Sequence, residues 1–245
     1  MTIGRVHSIE TMGLVDGPGI RVVIFMQGCK LRCIYCHNPD TWSLSSGEEY
    51  TPKELLKKVI RYKIYFKNSK GGVTLSGGDP LMQTEFATEF FKLCKEHNIH
   101  TCLDTSGYGT GDYSQLLKYT DLVLLDVKHI DDKIHKFITG RNREEFLEFV
   151  NILNSSNTRV WIRHVMLEGY TDDEDYLKSL ARYVDSINNV DKIELLAYHT
   201  HGISKYDDLG IKYRIKDMEP FSKDNLIKAK ETVYKYLNNK NIKMH

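Results

Sequence analysis

Short apolar runs alternate with polar stretches along most of the chain, and six of these runs are rich in β-branched residues. Runs of this length and composition are typical of strands that are buried on both faces in a parallel sheet. The pattern therefore predicts six strands, at residues 21–27, 73–76, 99–104, 122–126, 160–165 and 193–198.

Helical periodicity separates most of the predicted strands. Thr51-Pro52-Lys53-Glu54 has the sequence of a capping box with proline at the first helical position, and residues 171–174 are predicted to cap a later helix. We interpret the apolar stripes as faces that pack on the core. They lie at residues 55–66, 86–97, 116–117, 146–153 and 177–184, and in a last helix that begins at about Ser222.

Alternating strands and helices favour a parallel α/β architecture with right-handed crossovers. The chain has only five prolines, and no Gly/Ser linker, low-complexity tract or internal repeat stands out, so we predict one domain over residues 1–245. Six strands are too few for a closed eight-stranded barrel. An open partial barrel and a doubly wound sheet are both compatible with the pattern.

Polar residues follow the predicted strands at the ends where ligands collect in parallel α/β proteins. Arg163 and His164 lie near the end of the fifth strand. The other strands end in the segments 29–37, 76–80, 104–107, 126–128 and 198–199. Each predicted strand therefore delivers polar or metal-binding groups to the same edge of the sheet.

The composition is that of an ordinary globular protein: 41% of the 245 residues are hydrophobic and 27% are charged. The net charge of +1 gives no electrostatic reason to expect nucleic acid or an anionic membrane as a partner. No apolar run approaches the roughly 20 residues of a membrane span, and no targeting segment is visible. Five cysteines, an odd number, indicate reduced thiols and a cytoplasmic setting. We also expect an anaerobic setting, because an exposed and partly ligated metal cluster would be sensitive to oxygen.

Three of the five cysteines lie within eight positions, at Cys29, Cys33 and Cys36. Closely spaced thiolates suit zinc, copper(I) or an iron-sulfur cluster. Cys94 and Cys102 are isolated in predicted regular structure, so only three cysteines are available to one site. Three ligands would leave one iron of a 4Fe-4S cluster without a protein donor, and a small molecule could bind at that open position.

Other interpretations of this loop stay open. Cys33 to His37 forms a CxxCH haem-attachment pattern, although that interpretation gives Cys29 no role and such proteins usually carry an export signal. Zinc held by the three cysteines and His37 would be a closed structural site. Three buried, unligated cysteines fit less well, because Lys30, Arg32 and Asn38 in the same loop disfavour burial.

The CxxxCxxC spacing directly after a Gly-Cys strand end resembles the signature of the radical S-adenosylmethionine (SAM) enzymes. The flanking segments 16–21, 27–29 and 36–42 resemble one branch of that family, the activases of glycyl radical enzymes, and the similarity extends through most of the chain. The resemblance implies a partial (β/α)6 TIM-like barrel. It also implies one 4Fe-4S cluster held by Cys29, Cys33 and Cys36, with SAM bound at the open iron.

The resemblance assigns a set of residues to SAM. Gly77 and Gly78 would meet the SAM amino group through their backbone, and Asp79 stands where the family commonly has glutamate. Lys128 and Arg163 are cations suited to carboxylate or ribose oxygens, and His199 suits the adenosine. The complete predicted SAM set is Tyr35, Cys36, His37, Gly77, Gly78, Asp126, Val127, Lys128, Arg163 and His199.

Two further sites follow from the resemblance. A monovalent cation beside the SAM carboxylate would be held by Asp104, Thr105, Asp126 and the carbonyl of Leu124. Asp16 and His37 are expected to contact the glycine-bearing loop of a protein substrate. Residues 199–220 form a long connection that we predict to be a lid or a docking surface.

The resemblance implies reductive chemistry, with an external one-electron donor such as flavodoxin and no side-chain acid or base. The chain lacks the extra cysteine runs of several related activases and is longer than the small ribonucleotide reductase activases. Both features favour pyruvate formate-lyase as the partner. We also expect the protein to be a monomer. The alternatives are a single-cluster activase of another glycyl radical enzyme and, from a different class, a zinc-stabilised binding protein or a haem electron carrier.

Overall fold

The computed structural model describes residues 2–245, and Met1 lies outside the described residues. The strands are Gly4–Gly13 (β1), Arg21–Met26 (β2), Glu48–Tyr50 (β3), Gly72–Gly77 (β4), His100–Thr105 (β5), Leu122–Asp126 (β6), Arg159–Met166 (β7), Val190–Ala197 (β8) and Lys243–Met244 (β9). The helices are Pro52–Val59 (α1), Lys63–Ser69 (α2), Thr84–Glu96 (α3), Tyr113–Leu117 (α4), Asp132–Thr139 (α5), Glu144–Asn154 (α6), Glu174–Asp185 (α7), Ile203–Asp208 (α8) and Lys223–Tyr236 (α9).

The chain forms two compact units. The first comprises residues 2–30, Thr41–Leu124 and Glu145–Arg159. The second comprises Leu31–Asp40, Leu125–Glu144 and Val160–His245. The prediction that residues 1–245 form one domain stays a prediction.

The first unit contains a mixed sheet whose parallel part holds the first three predicted strands. β2 pairs with β4 in parallel, from Arg21↔Gly72 to Met26↔Gly77, and β4 pairs with β5 in the same sense. β1 pairs with β2, and β3 with β1, in antiparallel fashion. The sequence pattern missed β1 because its side chains alternate between buried and exposed, which differs from the continuous apolar runs of strands buried on both faces.

The helices of the first unit follow the predicted apolar stripes. The Thr51 side chain accepts from Glu54 N while the Glu54 carboxylate accepts from Thr51 N, so the predicted capping box is confirmed. On α3, Phe86, Phe90 and Phe91 are fully or almost fully buried. Burial of each such side chain stabilises the fold by about 1.5–3 kcal/mol.

The second unit contains the parallel strands β7, β8 and β9, covered by α7 and α9. Leu180 and Val184 on α7 and Val233 on α9 have no exposed surface. The predicted capping stretch 171–174 contains the helix cap, which is Asp173: its side chain accepts from Tyr176 N at 2.8 Å. Thr171 instead accepts a hydrogen bond from Leu167 N.

All six predicted strands are present, each within three residues of its predicted ends. Their parallel pairs and the intervening helices confirm the α/β class. Within residues 2–245, no helix combines the length and apolar character that crossing a membrane would require.

Candidate functional site

In the first unit, the cysteine loop begins at the end of β2 and is fixed by backbone hydrogen bonds. Gly28 N donates to Thr41 O at 2.8 Å, and Cys29 N donates to Trp42 O at 3.2 Å. Gly28 has a φ of +96°, which a residue with a side chain rarely adopts. The Cys29 side chain is therefore presented from a rigid turn, where it is only partly buried.

Gly77 and Gly78 pack against this same turn. A Cβ on Gly78 would lie 2.3 Å from Gly28 O, and one on Gly77 would lie 2.4 Å from Met26 N. Asp79 N donates to Gly28 O at 2.7 Å. The two glycines therefore allow the backbone after β4 to pack closely against the start of the cysteine loop. Their contact with SAM stays a prediction.

Asp79, which follows the two glycines, is a buried junction between the ends of β4 and β5. Its carboxylate accepts hydrogen bonds from Thr105 Oγ1 at 2.6 Å, Ser106 N at 2.9 Å and Leu81 N at 3.1 Å. Burial raises the pKa of Asp79 to about 7, although these hydrogen bonds oppose the shift. The sequence analysis did not include Asp79 among the site residues, and its partners explain why a short carboxylate suits this position.

The residues predicted to hold a monovalent cation occupy strand ends. Ser76 Oγ donates to Asp104 Oδ2 at 2.6 Å, and the Thr105 hydroxyl donates to Asp79. Leu124 is fully buried within β6, and Asp126 is the last residue of that strand. The cation assignment stays a prediction.

The loop that carries Asp16 is anchored on β4. Thr74 Oγ1 donates to Asp16 O at 2.7 Å, and the guanidinium of Arg21, which has no exposed surface, donates to Thr74 Oγ1 at 2.6 Å and to Pro18 O at 3.0 Å. Thr74 and Ser76 are two residues apart on β4, so they share a face of the strand. The Asp16 loop therefore lies along the face that carries Ser76.

In the second unit, the rest of the cysteine loop is tied to the end of α5. Arg32 N donates to Thr139 O at 2.8 Å, and Ile34 N donates to Ile138 O at 2.9 Å. The last carbonyls of a helix have no partner within the helix, so these loop N–H groups satisfy them. The sequence pattern did not predict α5, so these hydrogen bonds between the helix end and the cysteine loop were not predicted either.

Cys33 and Tyr35 are buried within this loop. Burial raises the pKa of the Cys33 thiol to about 12 despite the opposing charge of Lys128, so iron would have to displace a proton from it. The Tyr35 hydroxyl is buried and has no hydrogen-bond partner among residues 2–245. A buried hydroxyl without a partner is unfavourable, and it is the kind of group that a bound cofactor would satisfy.

Lys128 is held between a carboxylate and an aromatic ring. Its Nζ lies 2.8 Å from Asp126 Oδ2 and 5.7 Å from the centre of the Tyr35 ring. Burial is the largest single effect and lowers the Lys128 pKa, but the Asp126 carboxylate, together with Tyr35 and Cys33, raises it by more in total and holds the pKa well above its ordinary value. Three of the predicted SAM residues are therefore brought together in this unit.

His164 holds the backbone between Asp126 and Lys128. Val127 N donates to Arg163 O at 2.9 Å, and the His164 Nδ1–H donates to Val127 O at 2.6 Å, since a carbonyl oxygen only accepts. Burial lowers the pKa of His164 to about 4, which keeps the ring neutral. Arg163 Nε donates to Glu194 Oε2 at 3.1 Å, and its predicted contact with SAM stays a prediction.

His37 and His199 lie face to face. Their rings stack with centres 4.0 Å apart, and His37 Nε2 lies 3.1 Å from His199 O. Tyr206 and Lys205 on α8, which sequence reasoning did not single out, contact residues 36–40 as well. The predicted roles of the two histidines toward adenosine and a protein substrate stay predictions.

The cysteines supply the type of donor that iron-sulfur clusters use, and their assignment as cluster ligands stays a prediction. All five cysteines lie within the described residues and are thiols, with no disulfide among them. Within residues 2–245, no three His, Cys, Asp or Glu side chains are gathered as ligands of a single metal ion. A 4Fe-4S cluster does not need such a group, because each of its thiolate ligands binds a different iron.

Comparison with known proteins gives a consistent result. The model of the radical SAM superfamily matches residues 23–181. The chain is 54% identical over 224 residues to the pyruvate formate-lyase-activating enzyme of Clostridium pasteurianum, a match that covers 91% of this chain and 94% of the relative. It is 45% identical over 246 residues to the enzyme of the same name from Staphylococcus aureus strain USA300, covering 97% and 96%.

Among solved structures, Streptococcus suis SuiB bound to S-adenosylmethionine superimposes with a TM-score of 0.70 at 16% identity. The match covers 94% of this chain and 50% of SuiB. At this level of identity the similarity concerns the fold, which is that of radical SAM enzymes.

Proposed function

The chain belongs to the radical SAM superfamily, and we propose that it activates pyruvate formate-lyase by generating a glycyl radical on that enzyme. The observation that carries this proposal is the 54% identity to an enzyme of that name, extending over nearly the full length of both chains. The cysteine spacing that defines the family's cluster loop stands at residues 29–36.

The cofactors are one 4Fe-4S cluster and SAM. We propose Cys29, Cys33 and Cys36 as the thiolate ligands, which leaves one iron open to SAM. When bound, these cofactors supply one-electron cleavage of the sulfonium C–S bond, which yields methionine and a 5′-deoxyadenosyl radical that takes a hydrogen from a glycine Cα.

The protein's own part is to bind, orient and exclude water. The Lys128 ammonium, fixed by Asp126 and the Tyr35 ring, would face the anionic end of SAM, and the partnerless Tyr35 hydroxyl would gain a hydrogen bond on binding. His199 would contact the adenosine. Asp104 and Thr105, with Leu124 and Asp126, would hold a monovalent cation.

The partners follow from this chemistry. The glycine loop of pyruvate formate-lyase would meet Asp16 and His37, and a one-electron donor such as flavodoxin would reduce the cluster. We place the enzyme in the cytoplasm, since the proposed reaction needs a reducing setting, and propose that it acts as a monomer.

Iron analysis of the anaerobically purified protein tests the proposal. About four irons and four sulfides per chain are expected, with SAM cleaved to methionine when reductant is added. Cys29→Ala, Cys33→Ala or Cys36→Ala should each abolish SAM cleavage, while Cys94→Ala, which changes a cysteine buried on α3, should retain it. A colourless protein with one zinc, or a haem absorption band, would contradict the proposal.

A further inference from the structure

A short segment after β8 is fastened to the end of the cysteine loop. Within it, helix α8 has only six residues, and Gly202, the residue that precedes the helix, has no side chain that could cap it. A helix this short is not stable by itself, so its order depends on what it contacts. We name residues 199–209 the clamp segment.

The clamp segment contacts four of the five residues from 36 to 40. The Tyr206 hydroxyl donates to Cys36 O at 2.9 Å. Lys205 Nζ donates to Asn38 Oδ1 at 2.9 Å and lies 3.0 Å from Asp40 Oδ2. At the start of the segment, the His199 ring stacks on His37.

Backbone packing adds to these contacts. A Cβ on Gly202 would lie 2.7 Å from the Cα of His37, although the φ of Gly202 is −88° and any residue could adopt it. Glycine is therefore required here by the closeness of the two backbones. The clamp segment therefore packs directly against the loop, and the prediction that residues 199–220 form a lid or a docking surface stays a prediction.

The Tyr206 side chain is held by burial and by packing against another aromatic ring. Its side chain is almost completely buried, and its ring meets the Tyr213 ring edge-on with centres 4.8 Å apart. The Tyr213 hydroxyl in turn lies 2.8 Å from the Tyr198 hydroxyl. The Tyr206 O–H is thus a preorganised donor aimed at the carbonyl of the third cysteine.

We propose that Tyr206 is a positioning residue for Cys36: through the clamp segment it fixes the third cysteine and tunes the cluster that this cysteine holds. The proposal rests on the proposed function, because it takes Cys36 as a cluster ligand. A donor to the peptide carbonyl of a ligand places the positive end of a dipole near the cluster, which stabilises the more negative, reduced form.

The test compares Tyr206→Phe with Tyr213→Phe in cluster-loaded protein. The first variant removes the hydroxyl that donates to Cys36 O and keeps the ring. The second removes a buried hydroxyl whose hydrogen bond is to the Tyr198 hydroxyl, and it keeps the Tyr213 ring that packs against Tyr206. Iron release to a chelator should be about fivefold faster in Tyr206→Phe. This factor corresponds to the loss of one neutral hydrogen bond, which contributes ~1 kcal/mol. Tyr213→Phe should release iron at the wild-type rate.

The cluster midpoint potential, measured by redox titration with electron paramagnetic resonance (EPR) detection, gives a readout that simple loosening of the fold would not move. It should become more negative in Tyr206→Phe and stay unchanged in Tyr213→Phe. Gly202→Ala, which forces the two backbones apart, should also speed iron release.

The outcomes separate the two proposals. Wild-type protein that never takes up four irons contradicts the proposed function. A wild-type cluster whose release rate and potential are the same in Tyr206→Phe contradicts the role of Tyr206 alone. Equal changes in Tyr206→Phe and Tyr213→Phe also contradict that role, since general packing would then explain both. Loss of the cluster from Tyr206→Phe, with the cluster retained in Tyr213→Phe, supports it.

Discussion

The turn after β4 depends on a single carboxylate that has no exposed surface. Asp79 is surrounded by donors from Thr105, Ser106 and Leu81, yet burial still raises its pKa from 3.8 to about 7. Between these values the folded protein keeps a proton that the unfolded chain has lost. The contribution of Asp79 to stability is therefore fully present below about pH 4 and is lost as the pH rises through about 7.

Asp79→Asn should flatten the pH dependence of stability. From pH 5 to pH 8, the free energy of unfolding of the cluster-free wild-type protein should fall by on the order of 2 kcal/mol more than that of the variant. Urea unfolding at the two pH values, followed by circular dichroism, measures the difference.

Asp112→Asn is the matched control for this measurement. Asp112 also caps a helix through its side chain, but its hydrogen bonds with Ser114 and Gln115 lower its pKa, so it does not titrate between pH 5 and pH 8. The control should keep the wild-type pH slope. A wild-type slope in Asp79→Asn as well would show that Asp79 does not hold the proton.

Other residues of the site show why the sequence alone identified individual side chains but not the contacts between them. Spacing was enough to single out the three cysteines, and strand-end position was enough to find Lys128. Asp126 and Tyr35 were also singled out from the sequence. That both contact the Lys128 ammonium depends on side-chain geometry, which the sequence does not show. The Tyr206 bond to Cys36 joins residues 170 positions apart, and no local pattern carries that information.

At the scale of elements, the turn between β4 and the following short helix at Pro80–Gln83 requires glycine for a steric reason. A Cβ on Gly78 would lie 2.3 Å from Gly28 O and 2.9 Å from Thr41 O, both backbone atoms that cannot rotate away. The turn and the start of the cysteine loop therefore share one backbone arrangement.

Gly78→Ala should destabilise the cluster-free protein by about 2 kcal/mol or more, because overpacking against backbone forces the chain apart. Gly169→Ala is the comparison: Gly169 has a φ of +75° but open space around it, so alanine there costs only about 1 kcal/mol for the left-handed conformation. Thermal unfolding of both variants measures the difference, and equal losses would show that the turn can move.

The elements that sequence predicted share one property, which is a strong and local hydrophobic pattern. The parallel strands read as continuous apolar runs, and the stripes of α3 and α7 recur at helical spacing. The shortest missed elements have no room for such a pattern. β3 and β9 have three and two residues and α8 has six, so tertiary contacts decide their structure. α5 has eight residues, and of its buried residues His135, Ile138 and Thr139 only Ile138 is apolar, so its buried face does not stand out as an apolar stripe.

At the scale of the whole molecule, the net charge of +1 gives no electrostatic reason to expect nucleic acid or an anionic membrane as a partner. The family and its activity follow from similarity over nearly the entire chain. The choice of pyruvate formate-lyase as the enzyme that receives the radical is the claim on which the functional account depends.

EPR of inactive pyruvate formate-lyase, mixed anaerobically with the cluster-loaded protein, SAM and a one-electron reductant, tests that claim most directly. The account predicts a glycyl radical doublet that appears with time and is absent when SAM is left out or when the proposed cluster ligand Cys36 is replaced by alanine. An intact cluster that cleaves SAM to methionine, without any glycyl signal on pyruvate formate-lyase, would contradict it.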